Sequence, residues 1–261
     1  MKKLFYPLFL LLIMGLTFAS CEDPTPDNND DNKDEKPQLN KTELTLTSTD
    51  SFQLEYLNYT EAIEYKTENP YIADVDSLGL IKAYYAGQTT IYANELTCKV
   101  TVNPRYTYFL DPYTKWNAKR TDVQEYMKGF EMEYDEENYT EIYIPQEESE
   151  YIDSYMYIYE NELLTGGAMI VYNLEMESII DHIIDRYIPT NMDEESGMIM
   201  LIDPTMTTQL VIMPYSAEVS LFMYIPAEDL APEQIRKKAR SFSKKETTTT
   251  TINFNKYFQI K

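Results

Sequence analysis

The stretch that decides the fold of the first folded part of this chain is NPYIADVDSLGLI at residues 69–81, followed by AGQTTI at residues 86–91. Asn69-Pro70 and DSLG at residues 76–79 form turns, because proline fixes φ and glycine adopts the left-handed backbone that tight turns need. Short apolar runs lie between these turns, as strands do. The stretch therefore predicts a strand, a turn and a second strand, and then a further strand after Gly87.

The residues on both sides of this stretch repeat the same pattern. Apolar and polar residues alternate at residues 43–47, 52–56, 62–66, 89–93 and 96–102. A period of two indicates strands with one buried face. Roughly seven short strands within residues 39–103 predict a compact all-β sandwich.

The two quoted stretches resemble the bacterial Ig-like group 2 domain (BIG2). The resemblance implies an immunoglobulin-like sandwich over residues 39–103, in which Tyr65 takes the place of a tryptophan that is usual in the family. Members of that family serve as spacer and adhesion modules on surface proteins. The resemblance therefore implies a stalk and carries no catalytic residues over.

Helical patterns appear from Tyr106 onward. TDVQ at residues 121–124 is a capping box followed by Gly129, which predicts a short helix. A longer helix is expected to begin at Asn173 and to end before Pro189. Its apolar stripe consists of Met176, Ile180, Ile183, Ile184 and Tyr187.

Strand patterns surround these two helices. An antiparallel sheet with two helices packed on it accounts for this order, so residues 106–227 predict an α+β domain of unknown function. The strands are expected at residues 130–134, 141–144, 155–160, 168–172, 198–202, 209–213 and 219–225.

The first residues predict an export signal and a lipid anchor. Residues 1–20 combine Lys2 and Lys3 with an apolar run that is shorter than the ~20 residues of a membrane span, as in a signal peptide. Phe18-Ala19-Ser20-Cys21 resembles the bacterial lipobox, which implies acylation of Cys21 and anchoring in the outer membrane.

Residues 21–38 are acidic and polar, so they are expected to form a disordered tether. They resemble the export signal of Bacteroidetes-type surface lipoproteins, which implies exposure at the cell surface.

Charge excludes one class of partner. The chain has 44 acidic and 22 basic residues, a net charge of -22, so it repels nucleic acid. The basic residues concentrate in the segment from 228 to 261, predicted to be a basic helix and a C-terminal tail. Ile235, Ala239 and Phe242 share one face of that helix. It is expected to dock either on the acidic body or on an anionic partner.

The sequence offers little catalytic chemistry. His182 is the only histidine. It lies opposite the apolar stripe of its helix, which predicts a solvated side chain, and with Asp185 alone it makes a poor metal site. Cys98 alternates with apolar residues and is expected to be a buried hydrophobe. No catalytic residue, metal ligand or cofactor is predicted.

Two patterns leave alternatives open. Tyr151, Tyr155, Tyr157 and Tyr159 lie on one face of a strand, either as a platform that stacks on sugars or as a face that meets a helix. The acidic residues at 131–137 and 147–150 are expected to be solvated, although paired carboxylates are also the machinery of glycosidases.

These observations favour a non-enzymatic surface lipoprotein that adheres to a glycan or a surface protein on an Ig-like stalk. The alternatives are a carboxylate-based accessory glycoside hydrolase and a subunit of a surface or fimbrial assembly.

Overall fold

The computed structural model describes residues 36–135, 140–193 and 196–227. The chain divides into two compact units, Met1–Lys36 and Pro37–Lys261, and the fold described below belongs to the second. The predicted signal peptide, Cys21 with most of its tether, and the basic segment from 228 onward lie outside the described residues.

The first folded part of the second unit consists of three small sheets. A four-stranded sheet has the order β2-β9-β8-β5, a three-stranded sheet the order β3-β7-β6, and β1 pairs with β4. Strands β2 and β9 are parallel, and the other pairs are antiparallel. The strands are β1 Gln38–Leu39, β2 Glu43–Thr47, β3 Ser51–Gln53, β4 Tyr56–Leu57, β5 Tyr65–Thr67, β6 Ala73–Val75, β7 Leu80–Ala83, β8 Gly87–Ala93 and β9 Leu96–Asn103.

The four-stranded and three-stranded sheets share one hydrophobic core. Ile81 comes from β7, Ile91 from β8 and Val100 from β9, and each is almost completely buried. Cys98 lies in the same core, as its sequence pattern predicts. The expected strand at residues 62–66 is wrong except for its last two residues, because β5 begins only at Tyr65.

The turn at residues 76–79 has the geometry that its sequence predicts. The Asp76 carboxylate accepts the backbone N–H groups of Leu80 at 2.9 Å and Leu78 at 2.8 Å. These hydrogen bonds lower the pKa of Asp76. Gly79 has φ +84°, and a Cβ atom there would lie 2.4 Å from the Leu54 carbonyl oxygen. The turn is therefore specific for glycine at this position.

The second folded part is built on one eight-stranded antiparallel sheet. Its order is β10-β11-β12-β13-β17-β16-β15-β14. The strands are β10 Phe130–Asp135, β11 Thr140–Pro145, β12 Ile152–Glu160, β13 Leu163–Tyr172, β14 Ile188–Asp193, β15 Met198–Ile202, β16 Thr208–Pro214 and β17 Val219–Pro226. Each strand predicted from Tyr106 onward is present, and β14 is an addition. Because β14 is an edge strand, it tolerates Pro189, which lacks an N–H group.

Two short helices pack on one face of this sheet, as predicted. Helix α1 is Arg120–Tyr126, and a 3-10 turn at Asn173–Glu175 leads into α2, Met176–Ile184. Val123 of α1 and Ile179 of α2 are buried in the same core as Phe222 and Tyr224 of β17. Among the described residues, no helix has the length and apolar character needed to cross a bilayer.

The opposite face of the sheet carries a second apolar layer, called the methionine face below. Its most buried members, Val211 and Met223, have no exposed surface. The methionine face consists of Met156, Ala168, Ile170, Met198, Met200, Val211, Met213, Leu221, Met223 and Ile225.

Candidate functional site

Three of the four tyrosines predicted to form a sugar platform lie in the core. Tyr155, Tyr157 and Tyr159 of β12 expose 1%, 0% and 7% of their surface. They pack with Val123 and Met127, the latter just after α1. Of the two alternatives that the sequence leaves open, these three residues therefore form a face that meets a helix and not a sugar platform, because α1 and the segment that precedes it lie on this face.

The hydroxyl groups of these tyrosines are used inside the protein. Tyr155 donates to the carbonyl oxygen of Leu110 at 2.8 Å, and Tyr157 accepts the backbone N–H of Tyr113 at 2.9 Å. Tyr159 donates to a carboxylate oxygen of Glu141 at 2.8 Å. The hydroxyls of Tyr155 and Tyr157 anchor the segment before α1 to the sheet, and that of Tyr159 binds a residue of the neighbouring strand, so a ligand has no free donor here.

Glu141 is the centre of a buried polar cluster. Its side chain has no exposed surface and accepts hydrogen bonds from Arg120 and Gln124 of α1, both at 2.6 Å. Tyr143 and Tyr159 donate to its other oxygen, both at 2.8 Å. Burial alone raises the pKa of Glu141, but these donors outweigh it and hold the pKa below its usual range. The ion pair between Arg120 and Glu141 at the centre of this cluster therefore holds α1 on the sheet.

The fourth predicted tyrosine, Tyr151, belongs to a partly exposed aromatic ladder. Its ring centroid lies 5.5 Å from that of Tyr108, which lies 5.8 Å from that of Tyr106 in a nearly parallel stack. Tyr108 is 37% exposed. The Arg105 guanidinium lies 5.3 Å from the Tyr106 ring centroid. Tyr106 and Tyr151 are partly buried, so the ladder presents aromatic surface to solvent mainly through Tyr108.

His182 is buried, which contradicts the solvated side chain expected from its helix face. Its ring is stacked on Phe109, with centroids 3.8 Å apart, and has no exposed surface. The segment from Arg105 to Asp111 covers this side of α2, and helical periodicity alone does not reveal such a cover. Burial lowers the pKa of His182, and the nearby Asp111 carboxylate compensates only in part.

Asp185, also expected on a solvated face, joins the two folded parts. It is 2% exposed and accepts hydrogen bonds from the side chain of Arg105, the shortest being 2.6 Å. It also accepts the backbone N–H of Arg105 at 2.7 Å. Its own carbonyl oxygen accepts the N–H of Ala86 at 2.7 Å. Asn69 adds a further hydrogen bond across the junction, to Pro204. The junction is therefore tied by directed hydrogen bonds.

A groove of about 440 Å³ runs along this junction, with Asp111 and Asp203 among its lining residues. Both carboxylates already accept hydrogen bonds from the protein. Asp111 accepts hydrogen bonds from His182 and Arg186, and Asp203 accepts backbone N–H groups of its own loop. The hydrogen bond from His182 and the charge of Arg186 outweigh burial and lower the pKa of Asp111. A glycosidase acid needs a raised pKa, so Asp111 does not fit that role.

The acidic residues noted in the sequence are exposed where the structure describes their side chains. These are Glu131, Glu133, Glu147, Glu148 and Glu150. Within the described ranges, no group of three or more histidine, cysteine or carboxylate side chains is placed to hold a metal ion.

The residues that sequence reasoning missed lie in the connection between the two folded parts. Arg105, Tyr106, Tyr108 and Asp111 form the junction and the ladder. Their signal was present: the connection is rich in aromatic and charged residues and has no glycine. A connection of that composition is typical of a segment that packs rather than of a flexible linker. No family model matches this chain, and it has no match among curated proteins.

Proposed function

We propose that this chain is a non-enzymatic, lipid-anchored surface protein that binds a glycan through Tyr106, Tyr108 and Tyr151. The observation that carries this proposal is the partly exposed aromatic ladder, whose rings lie 5.5 and 5.8 Å apart and whose middle ring, Tyr108, is 37% exposed. Tyrosine rings stack on the apolar faces of sugars, and their hydroxyl groups form hydrogen bonds with sugar hydroxyls. Because tyrosine rings and hydroxyl groups suit sugars in both ways, the proposed ligand is a glycan.

The first folded part acts in this proposal as an Ig-like stalk of the group 2 type. Two observations support this assignment. Two sheets share one core, and the turn at Gly79 brings its carbonyl oxygen within 2.9 Å of the Leu54 backbone nitrogen. Tyr65 packs against this turn, as the aromatic residue expected at its position does. The hydrogen-bonded junction at Asp185 would hold the ladder in a fixed position relative to the stalk.

The anchor is the lipid on Cys21, supported by the lipobox-like residues 18–21. Several acyl chains, at about 0.8 kcal/mol per buried CH₂ group, hold a protein on a membrane stably. Palmitate labelling of cells that express the chain should be lost in Cys21→Ser. Persistent labelling of that variant would contradict the anchor and leave the glycan proposal untouched.

The glycan proposal is tested by an array of bacterial and host glycans probed with the purified chain. Tyr108→Ala is expected to weaken any positive interaction by about tenfold, which corresponds to the loss of about 1.4 kcal/mol of stacking. The matched control is Tyr92→Ala, because Tyr92 is 39% exposed but lies on β8. Equal binding by both variants, or no binding at all, would refute the ladder as a glycan site.

A further inference from the structure

A second groove, called the Arg105 groove below, lies where the two folded parts meet. Its volume is about 500 Å³, within the range of about 300–1,000 Å³ that is typical of pockets for small ligands. Such pockets are common at the boundary between folded units. The polar and aromatic residues that line the groove are Asp50, Ser51, Lys82, Tyr84, Tyr85 and Arg105.

Arg105 belongs both to this groove and to the surroundings of the tyrosine ladder. It lines the groove, and its guanidinium lies 5.3 Å from the ring centroid of Tyr106, which is stacked on Tyr108. Its Nε and Nη2 atoms donate to Asp185, whereas Nη1 donates to no residue that the structure describes. The ladder and the groove are therefore adjacent parts of one surface that meet at Arg105.

The two tyrosines of the groove have hydroxyl groups that the protein does not use. Within residues 36–135, 140–193 and 196–227, neither Tyr84 nor Tyr85 forms a hydrogen bond through its side chain. Tyr84 is 46% exposed, and Tyr85 is half-buried. Burial raises the pKa of Tyr85, so its hydroxyl keeps the proton that it can donate. In this respect the groove differs from the core, where the hydroxyl of Tyr159 is already bound to a carboxylate.

The charges that line the groove balance each other and favour an uncharged ligand. Arg105 neutralises Asp185, and the remaining two charges belong to Lys82 and Asp50. An ammonium donates hydrogen bonds and a carboxylate accepts them, so the pair suits the hydroxyl groups of a sugar, which do both. The whole chain has a net charge of -22 and repels acidic glycans at a distance.

We propose that the ladder and the Arg105 groove form one extended site for a neutral oligosaccharide of several sugar units. This inference rests on the glycan-binding function proposed above and adds the length and the charge of the ligand. A sugar that binds at Tyr108 is followed by units that run past Tyr106 and Arg105 and enter the groove. There Tyr84 and Tyr85 supply aromatic surface and hydroxyl donors. A chain of sugars is needed because the ladder and the groove each have room for at least one unit.

Calorimetric titration of the purified chain with oligosaccharides of increasing length tests this proposal. The neutral probes are cello-, malto-, laminari-, xylo- and mannooligosaccharides of two to six units, and the acidic probes are oligogalacturonides of the same lengths. In at least one neutral series the hexamer should bind about tenfold more tightly than the dimer, because only the longer chain reaches the groove. The oligogalacturonides should bind more weakly than that series.

Replacement of Tyr84 by alanine separates the two parts of the site. Tyr84→Ala should lower the affinity for the hexamer about fivefold or more and leave the affinity for the dimer unchanged, a loss of about 1 kcal/mol. The matched control is Tyr71→Ala, because Tyr71 is 48% exposed and belongs to the same folded part but does not line the groove. Tyr108→Ala should weaken the binding of both lengths. If circular dichroism shows that Tyr84→Ala is less folded, Lys82→Ala replaces it with the same expectation, since Lys82 is exposed.

The outcomes distinguish the extended site from the glycan function on which it rests. Equal affinities for dimer and hexamer, or equal affinities of the Tyr84→Ala and Tyr71→Ala variants for the hexamer, overturn the extended site. If Tyr108→Ala still weakens binding in that case, the glycan function stands. Tighter binding of the oligogalacturonides overturns the neutral ligand. Binding of no probe, or binding that Tyr108→Ala leaves unchanged, refutes the glycan function and this inference together.

Discussion

The Nε2 atom of His182 lies 2.8 Å from the Oδ1 atom of Asp111, 71 residues earlier in the chain. The Nδ1 atom accepts the backbone N–H of Tyr108 at 3.2 Å, so the proton of the neutral ring is on Nε2 and is donated to Asp111. Arg186 donates to the same carboxylate. The pair therefore attaches the connection that carries the tyrosine ladder to helix α2.

This pair predicts a loss of stability in mild acid. Burial lowers the folded-state pKa of His182, whereas the unfolded chain has the ordinary value of about 6.5. The unfolded state therefore binds more protons as the pH falls below about 6.5, and the free energy of unfolding falls by at most about 1.4 kcal/mol per pH unit. Urea titrations between pH 7.5 and 5.5 measure this slope.

The control for this prediction is His182→Gln, because His182 is the only histidine in the chain. The variant should be less stable at pH 7.5 but should have a flatter dependence on pH. An equal slope in both proteins would contradict the burial of a neutral imidazole.

The turn at Gly79 predicts a large loss of stability when a methyl group is added at this position. Gly79→Ala combines φ +84° with a Cβ atom 2.4 Å from the Leu54 carbonyl oxygen, so unfolding of the first folded part should become easier by about 3 kcal/mol. Gly129 also has positive φ but nothing within 4 Å of its Cβ position. Gly129→Ala should therefore cost only the backbone strain, about 1–2 kcal/mol. Thermal unfolding of both variants measures the two losses of stability. Equal losses would argue against the close contact between a Cβ atom at residue 79 and the Leu54 carbonyl oxygen.

Sequence patterns predict this fold well wherever local rules act. Period-two alternation locates β12, and a helical stripe locates α2, because each pattern reflects which side of its own element is buried. The same patterns do not reveal what covers a face. Tyr155 of β12 and His182 of α2 both contact the connection from Arg105 to Asp111, a segment distant in sequence from each of them. Long-range packing of this kind leaves no signal in the covered strand or helix itself, which is why the sequence leaves two alternatives open for the tyrosines of β12 and why the predicted solvated histidine is wrong.

The Glu141 cluster predicts that replacing each of two glutamates that face the same arginine will cost very different amounts of stability. Glu141 is buried and lies 2.6 Å from Arg120, whereas the Glu162 side chain is 76% exposed and lies 3.8 Å away. Glu141→Gln removes the buried carboxylate that pairs with the partly buried Arg120 side chain and should cost about 3 kcal/mol. Glu162→Gln should cost less than about 0.5 kcal/mol. Urea unfolding monitored by circular dichroism measures both, and similar losses would mean that Glu141 is not the residue that holds α1.

A last prediction compares two buried tyrosines of the same core. The Tyr159 hydroxyl donates to the Glu141 carboxylate at 2.8 Å, whereas the Tyr224 hydroxyl has no hydrogen-bond partner among the described residues. Removing a hydrogen bond to a buried charge costs about 1.5–3 kcal/mol, but removing an unsatisfied hydroxyl is neutral or stabilising. Tyr159→Phe should therefore lower the free energy of unfolding by that amount, and Tyr224→Phe should leave it unchanged or raise it. A loss in Tyr224→Phe as large as that in Tyr159→Phe would show that a bound water or another group satisfies the Tyr224 hydroxyl.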